Sequence, residues 1–190
     1  MTDGEAARAY GILLKYDVMR NAFVRSAVYR ENTRAYRAMD PGLTSYLGGA
    51  CSICNDDRER FEREGLSHPY KLEAYSNDEP TMAALRAELT AAGFEVTSAY
   101  WNNLEIQSRG AGKGAAVRWR AKQMGAAREE ILTLGDNTND LPMLQASGWP
   151  VAMENGSTGM FSGAPRVAPC SSTASRRSIP TPFSSWVYSS

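Results

Sequence analysis

The amino-acid sequence predicts an α/β chain built in two styles, and three stretches carry that prediction. From 70 to 108 the pattern runs strand, helix, strand, strand, which describes a small antiparallel sheet with a helix packed on it. From 113 to 153 it runs helix, strand, helix, strand with short connections, the order of a parallel layer. Between the two, Arg109-Gly110-Ala111-Gly112-Lys113-Gly114 places three glycines within five residues, so the chain turns sharply there.

The first 60 or so residues carry weaker signals. Ile12, Leu13 and Leu14 form an oily run, followed by Val18 and Met19, which fits either a strand or part of a helix. AVYRENTRAYRAM, 27 to 39, reads as a hairpin: Val28 and Tyr29 precede a turn at Glu31-Asn32-Thr33, and Tyr36 lies beyond it. PGLTSYLGGA breaks what precedes it. DDRERFEREG, 56 to 65, reads as a short charged helix closed by Gly65.

Patterning is stronger from 70 onward. YKLEAYS places Tyr70, Leu72 and Ala74 on one side of a strand. Asp78, Glu79 and Pro80 suit the first turn of a helix. Met82, Leu85 and Leu89 then repeat at helical spacing, and Gly93 ends the run. FEVTSAYW predicts a strand with Phe94, Val96, Ser98 and Tyr100 on one face, Asn102-Asn103 a tight turn, and LEIQS the returning strand. Tyr70, Tyr75 and Trp101 hold strand positions and are assigned to sheet packing. Past the glycines come a helix AAVRWRAKQM closed by Gly125, a buried strand EEILTLG, a short helix NDLPMLQASG and a second short strand WPVAM. After about 163 the chain is rich in serine, without period, and reads as a disordered tail.

Composition narrows the function classes. Hydrophobic residues make up 43% and charged residues 22% of 190, the balance of a folded domain rather than a disordered chain. Lys+Arg and Asp+Glu are each 21, so net charge advertises neither nucleic acid nor an anionic membrane as a partner. No apolar run reaches the roughly 18 residues of a membrane helix, and MTDGEAARAY is not a secretion signal. Cys51, Cys54 and Cys170 are an odd count without a disulfide framework, which fits a reducing cytoplasm. Cys51 and Cys54 make a CxxC, but a closed zinc site takes four Cys or His ligands and His68 is the single histidine. The pair is read as two small residues near a helix start.

The chemistry concentrates at LTLGDNTNDLPML, 132 to 144. Asp136 follows a strand after one glycine, at the carboxyl end of a parallel sheet where binding crevices form. Asn139 and Asp140 stand where the next helix begins, and for one of them a helix cap is explanation enough. Asp136 needs another reason. Neighbouring carboxylates repel unless a cation joins them, and Mg²⁺ suits one or two carboxylates plus a phosphate. Lys113 opens a helix after the glycine-rich turn, and a helix N-terminus attracts anions. Alone it would be a surface lysine, and GxGKG lacks the P-loop spacing.

Lys113-Gly114, the helix after it, GDNTNDLPML and VAMENG together resemble the haloacid dehalogenase-like (HAD) phosphatases. The branch most similar is the one with a large α/β cap, the Cof-type and sucrose-phosphate-phosphatase-like sugar phosphatases. Lys113 and Asp136 stand 23 positions apart with a helix and a strand between them. The resemblance implies a partial Rossmann-like core with a parallel sheet plus an α+β cap. Residues 1–110 would be the cap, 111–163 the C-terminal part of the core, and 164–190 an atypical tail. It implies a magnesium-dependent phosphatase of a small phosphorylated metabolite, expected to be a sugar phosphate, working through an aspartyl-phosphate. Lys113 would hold the phosphate and the nucleophile, Asp136 would bind Mg²⁺, Asn139 would reach the phosphate, and Asp140 would support the metal or the lysine. Asn137 and Thr138 would be loop residues.

The family's DxDGT, which carries the attacking aspartate, is not found in the sequence; Met1-Thr2-Asp3-Gly4-Glu5 offers only a passing likeness. The resemblance therefore implies that about 80 residues of core are missing before Met1, and that the tail replaces a further helix and strand, as a frame shift would. Three readings follow: a phosphatase chain, an inactive fragment or binding module that keeps only the supporting half-site, and a split enzyme completed by an N-terminal core fragment. An exposed sheet edge would favour a homodimer.

Overall fold

The computed structural model describes residues 1–25, 27–31, 52–55, 58–153 and 167–168, with the backbone alone at 52–55 and 167–168. The chain divides into two compact units, Met1–Ala111 and Gly112–Ser190.

In the first unit the oily run at 12–14 belongs to a helix. Thr2 stops α1 (Asp3–Leu13) from fraying: its hydroxyl accepts the Glu5 amide at 3.2 Å, while the Glu5 carboxylate accepts the Thr2 amide at 2.9 Å. Such a reciprocal cap satisfies two orphan donors, and an N-cap alone contributes about 1 kcal/mol. Strands β1 (Met19–Phe23), β2 (Val28–Glu31), β3 (Ser52–Asn55), β4 (Lys71–Tyr75), β5 (Glu95–Thr97) and β6 (Asn103–Gln107) form one sheet in the order β3-β2-β1-β4-β6-β5. All neighbours are antiparallel except β2 and β3, which run parallel. The expected hairpin at 27–39 is therefore displaced. β2 pairs backward with β1, Ala22 opposite Tyr29, and the Val24 amide donates to the Ala27 carbonyl at 3.0 Å where the two strands meet. Residues 32–39 lie outside the described residues, as do Cys51 and Cys170; the backbone at Cys54 is strand rather than helix start. The charged segment forms α2 (Arg58–Arg60), continued as a wider turn over Phe61–Gly65.

Register decides which side chains share a face. Ala22 lies opposite Leu72, Leu72 opposite Ile106, and Ala74 opposite Leu104. With Ala6, Ala9 and Leu13 of α1 and Met82, Leu85 and Leu89 of α3 (Glu79–Ala91), they form one apolar core. α3 starts where expected, with the Asp78 carboxylate accepting the Thr81 amide at 3.0 Å, and ends before Gly93 at φ +89°. The alternate positions carry a polar row. Asn21 is paired with Arg30 and Glu73, and Glu73 with Glu105. Lys71 Nζ donates to Glu73 at 2.7 Å and to Glu105 at 2.6 Å, and the Tyr75 hydroxyl donates to Glu73 at 3.0 Å. Burial of Asn21, Arg30 and Glu73 is tolerable because each is hydrogen-bonded.

One expected strand is cut short. FEVTSAYW runs as β5 only to Thr97, and Asn103 is the first residue of β6 rather than part of a turn. Its buried amide oxygen accepts the Ala99 amide at 3.0 Å and the Tyr100 amide at 2.8 Å, curling the chain away from the ladder. Tyr100 and Trp101 consequently face solvent, and Tyr70 is exposed as well, so sheet packing holds only for Tyr75.

The second unit holds α4 (Lys113–Met124), which starts at Gly112 and ends at Gly125, φ +66°. EEILTLG is not one buried strand. The Glu130 carboxylate accepts the Ala127 amide at 2.8 Å and folds Arg128–Glu130 into a helical turn, leaving β7 as Leu132–Gly135 with Leu134 exposed. α5 (Leu141–Gln145) leads to β8 (Trp149–Met153), parallel to β7 with Gly135 opposite Ala152. Val167–Ala168, at the beginning of the segment expected to be disordered, pair parallel to β8 as β9; the rest of that segment lies outside the described residues. Among the described residues no helix is long and apolar enough to cross a membrane.

Candidate active site

The strand end explains its own glycine. A Cβ on Gly135 would stand 2.6 Å from Cβ of Asp140, closer than side chains approach, so only glycine lets the Asp140 carboxyl fold back against β7. There the carboxylate has two jobs. Its Oδ2 accepts the backbone amides of Asp136, at 3.1 Å, and Asn137, at 3.2 Å. Its Oδ1 accepts the Lys113 ammonium in a close ion pair. Asp140 is thus the hub that ties the loop after β7 to the first residue of α4.

A second close approach aligns the helix. A Cβ on Gly114 would lie 2.3 Å from the Pro142 carbonyl oxygen, so the first turn of α4 rests directly on α5. Lys113 projects beside it, half exposed, with Asn139 Oδ1 3.4 Å from its Nζ. Asn137, expected to be an idle loop residue, caps the turn Thr138–Asp140 by accepting the Thr138 amide at 2.7 Å. The capping function weighed for Asn139 or Asp140 therefore belongs to Asn137 and, through its Oδ2, to Asp140. An Asn three positions before an Asp is a capping-box spacing, a signal present in the sequence. The buried hydrogen bond between Thr133 and Ser147, 2.6 Å, pins β7 to the end of α5 and carries no signal in the sequence.

Electrostatics follow from this packing. Burial raises the Asp140 carboxyl; the hydrogen bond and charge of Lys113, then the two amides, outweigh it and hold the group below the ordinary carboxylate value. The side chain is anionic at neutral pH although the residue is only 5% exposed. Asp136, by contrast, is exposed on the first residue after the sheet.

The structure therefore brings Lys113, Asn139 and Asp140 into direct contact and fastens Asp136 to them through its backbone. Among the described residues no three Asp, Glu, His or Cys converge as a closed metal cage. That donor set fits a hard cation that draws its remaining ligands from water and phosphate, as Mg²⁺ does. Asp136 is the better placed ligand, since both oxygens of Asp140 already accept hydrogen bonds. Lys113 and the amides of the first turn of α4 offer positive charge to an oxyanion, and Gly112 has no side chain to block them. The arrangement can hold a phosphoryl group between an ammonium, an amide side chain and a carboxylate-bound cation.

Comparison with known proteins adds an independent line. The sequence model of the haloacid dehalogenase-like hydrolases matches residues 19–174. The phosphatase YwpJ of Bacillus subtilis is 33% identical over 111 residues, covering 58% of this chain and 39% of that protein. A haloacid dehalogenase-like hydrolase of B. subtilis superposes with TM-score 0.70 at 24% identity, over 86% of this chain and 65% of its own. The HAD subclass IIB sugar phosphatase BT4131 superposes with TM-score 0.68 at 14% identity, over 89% of this chain and 62% of its own. The chain thus spans less than two thirds of each of these relatives, and the two structural likenesses carry the fold alone.

Proposed function

The chain belongs to the haloacid dehalogenase-like hydrolase family, and from that premise we propose that it serves in hydrolysis of a small metabolite's phosphate monoester. The observation that carries the proposal is the Asp140 hub, which sets Lys113, Asn139 and the Asp136 backbone around one spot at the end of β7. The relative named as a phosphatase supports a phosphate monoester as substrate, and within that class we propose a sugar phosphate. The scarcity of cysteine supports a cytoplasmic setting.

Each residue has a physical task in this reading. Lys113 neutralises phosphoryl oxygens, and its ion pair with Asp140 holds the ammonium on station before substrate arrives. Asn139 donates its amide N–H to a phosphate oxygen once turned from the lysine. Asp136 would hold Mg²⁺, with Asp140 behind it; when bound, the ion supplies charge neutralisation of the phosphate. Asp140 keeps the loop amides and the lysine in one geometry. The attacking aspartate of a DxDGT has no counterpart in the sequence as given, so these residues are the supporting half of the site. That same observation favours a second reading, a binding module that holds phosphate without turnover.

Turnover separates the readings. The purified chain with Mg²⁺ is offered a panel of sugar phosphates and a chromogenic phosphate ester, with and without a polypeptide bearing DxDGT. Turnover only in the mixture, lost in Asp136→Ala, is the expected result. Turnover by the chain alone would overturn the half-site assignment, and none in either mixture would leave the binding module.

A further inference from the structure

Net charge conceals how the cations are placed. Residues 113–128 carry Lys113, Arg118, Arg120, Lys122 and Arg128 without one Asp or Glu, five positive charges in a chain whose formal net charge is zero. Beyond Lys113 these side chains serve no site described above. Arg118, Arg120 and Lys122 are exposed on α4, and Arg128 is exposed on the connection after it. Where α4, that connection and the end of α5 meet, a groove of about 420 Å³ opens. Arg118 and Lys122, one helical turn apart, and Arg128 form its exposed rim; Ala121, Ala126 and Ile131 lie deeper and make its floor apolar. No carboxylate is among the described residues that line it. Arg128 is held on station, since its guanidinium donates to the Gln145 carbonyl at 3.2 Å. Trp119 neighbours Lys122 on the helix surface and is 63% exposed.

We propose that this groove and Trp119 are a binding track for single-stranded nucleic acid, separate from the phosphate site. Lys122 stands about 13 Å along the helix from Lys113 at the ordinary helical rise, so the two places are not one site. Three features choose this occupant. Cations on a rim without carboxylates attract backbone phosphates and release the counterions condensed on them. An exposed indole beside those cations offers a face on which a base stacks, the pairing of charge and aromatic surface that holds single strands regardless of sequence. An acidic peptide would meet the charges and leave the indole unused. The third feature is openness. A small anion is recognised where most of its surface is enclosed, whereas here every charged residue is exposed, which suits a chain passing through. A flat anionic membrane would touch the rim and leave the apolar floor uncovered.

Fluorescence anisotropy on the 190-residue chain tests the track. The probe is a labelled oligothymidylate of about ten nucleotides. The expected result is micromolar binding at low salt, with log affinity falling against log salt at a slope of about −2, the value for three phosphate contacts on a single strand. Arg118→Gln combined with Lys122→Gln should lower affinity about tenfold or more. Trp119→Ser should lower it about tenfold and abolish the quenching of indole emission by the probe. All three side chains are exposed, so circular dichroism of the variants should match the parent. Absence of binding, or binding indifferent to salt, overturns the proposal. So does affinity lost in Lys113→Met and kept in the double variant, since the probe is then held at the phosphate site. Displacement of the probe by polyglutamate at matched charge, or by phosphatidylglycerol vesicles, overturns it as well and assigns the patch to an acidic peptide or a membrane.

Discussion

The two units of the chain solve different problems. In the first, Phe61, Leu72, Leu85, Leu89 and Ile106 are fully buried in one continuous core between the sheet and its helices. In the second, the buried apolar cluster among the described residues is Leu144 and Ala152 with Leu141 against them, while Leu134, Trp119 and Met124 are exposed. A fully buried large aliphatic or aromatic side chain contributes about 1.5–3 kcal/mol, so among the described residues the first unit draws on more hydrophobic burial than the second. What the second shows is polar placement: two glycines at the site that admit close approach, Gly114 and Gly135, and one carboxylate joined to an ammonium and two amides. Burial holds the first unit together, and site geometry organises the second.

Substitutions can break that contrast, beginning with the largest effect. Leu85→Ala leaves a cavity in the first core and should cost about 2–5 kcal/mol, read as a lower urea midpoint for that unit. A loss below about 1 kcal/mol would mean that core is loosely packed. Gly135→Ala should cost about 1–3 kcal/mol by overpacking, because its methyl group meets Asp140 at 2.6 Å. It should also displace the Asp140 carboxylate from the Asp136 and Asn137 amides, seen as faster exchange at both. Unchanged exchange there would show that the close approach is not structural.

A smaller effect lies in pH. The folded Asp140 carboxyl sits below its ordinary value, so its contribution is present above about pH 3.9 and is lost as pH falls through the lower folded value. Asp140→Asn should remove that part of the acid dependence while leaving the neutral-to-alkaline limb alone; identical acid limbs in the two proteins would contradict it. Smallest of all, Trp119→Ser on the exposed face of α4 should change the stability of the isolated chain by no more than about 0.5 kcal/mol. A larger loss would show that α4 depends on a partner surface already present.

How much of this was legible in the sequence depended on range. Local punctuation read well: Asp78, Pro80 and Gly93 bounded α3, and Gly112 and Gly125 bounded α4. Elements failed where a side chain captures backbone across a few residues. Asn103 ends β5 early by taking two amides, and Glu130 turns the expected start of β7 into a helical turn. Neither act alters hydrophobic period, which is what a strand prediction reads. Sheet order had no signal to read, since the pairing of β1 with β4 joins residues about fifty positions apart and leaves no local trace. The grouping of Lys113 with Asn139 and Asp140 was suggested by the resemblance that Lys113-Gly114 and GDNTND carry together; spacing alone left Lys113 a surface lysine. The reason for Gly135 was not legible, because a close approach shows only once Asp140 has folded back onto the strand.

Lys113, Asp136, Asn139 and Asp140 are proposed to form a phosphate site that works with a divalent cation. Titration calorimetry of inorganic phosphate into the chain, with and without Mg²⁺, tests it most directly. Binding should require Mg²⁺, with affinity lowered about tenfold or more in Lys113→Met and in Asp136→Asn. Phosphate affinity that is the same with and without Mg²⁺, and the same in both variants as in the parent chain, would contradict it.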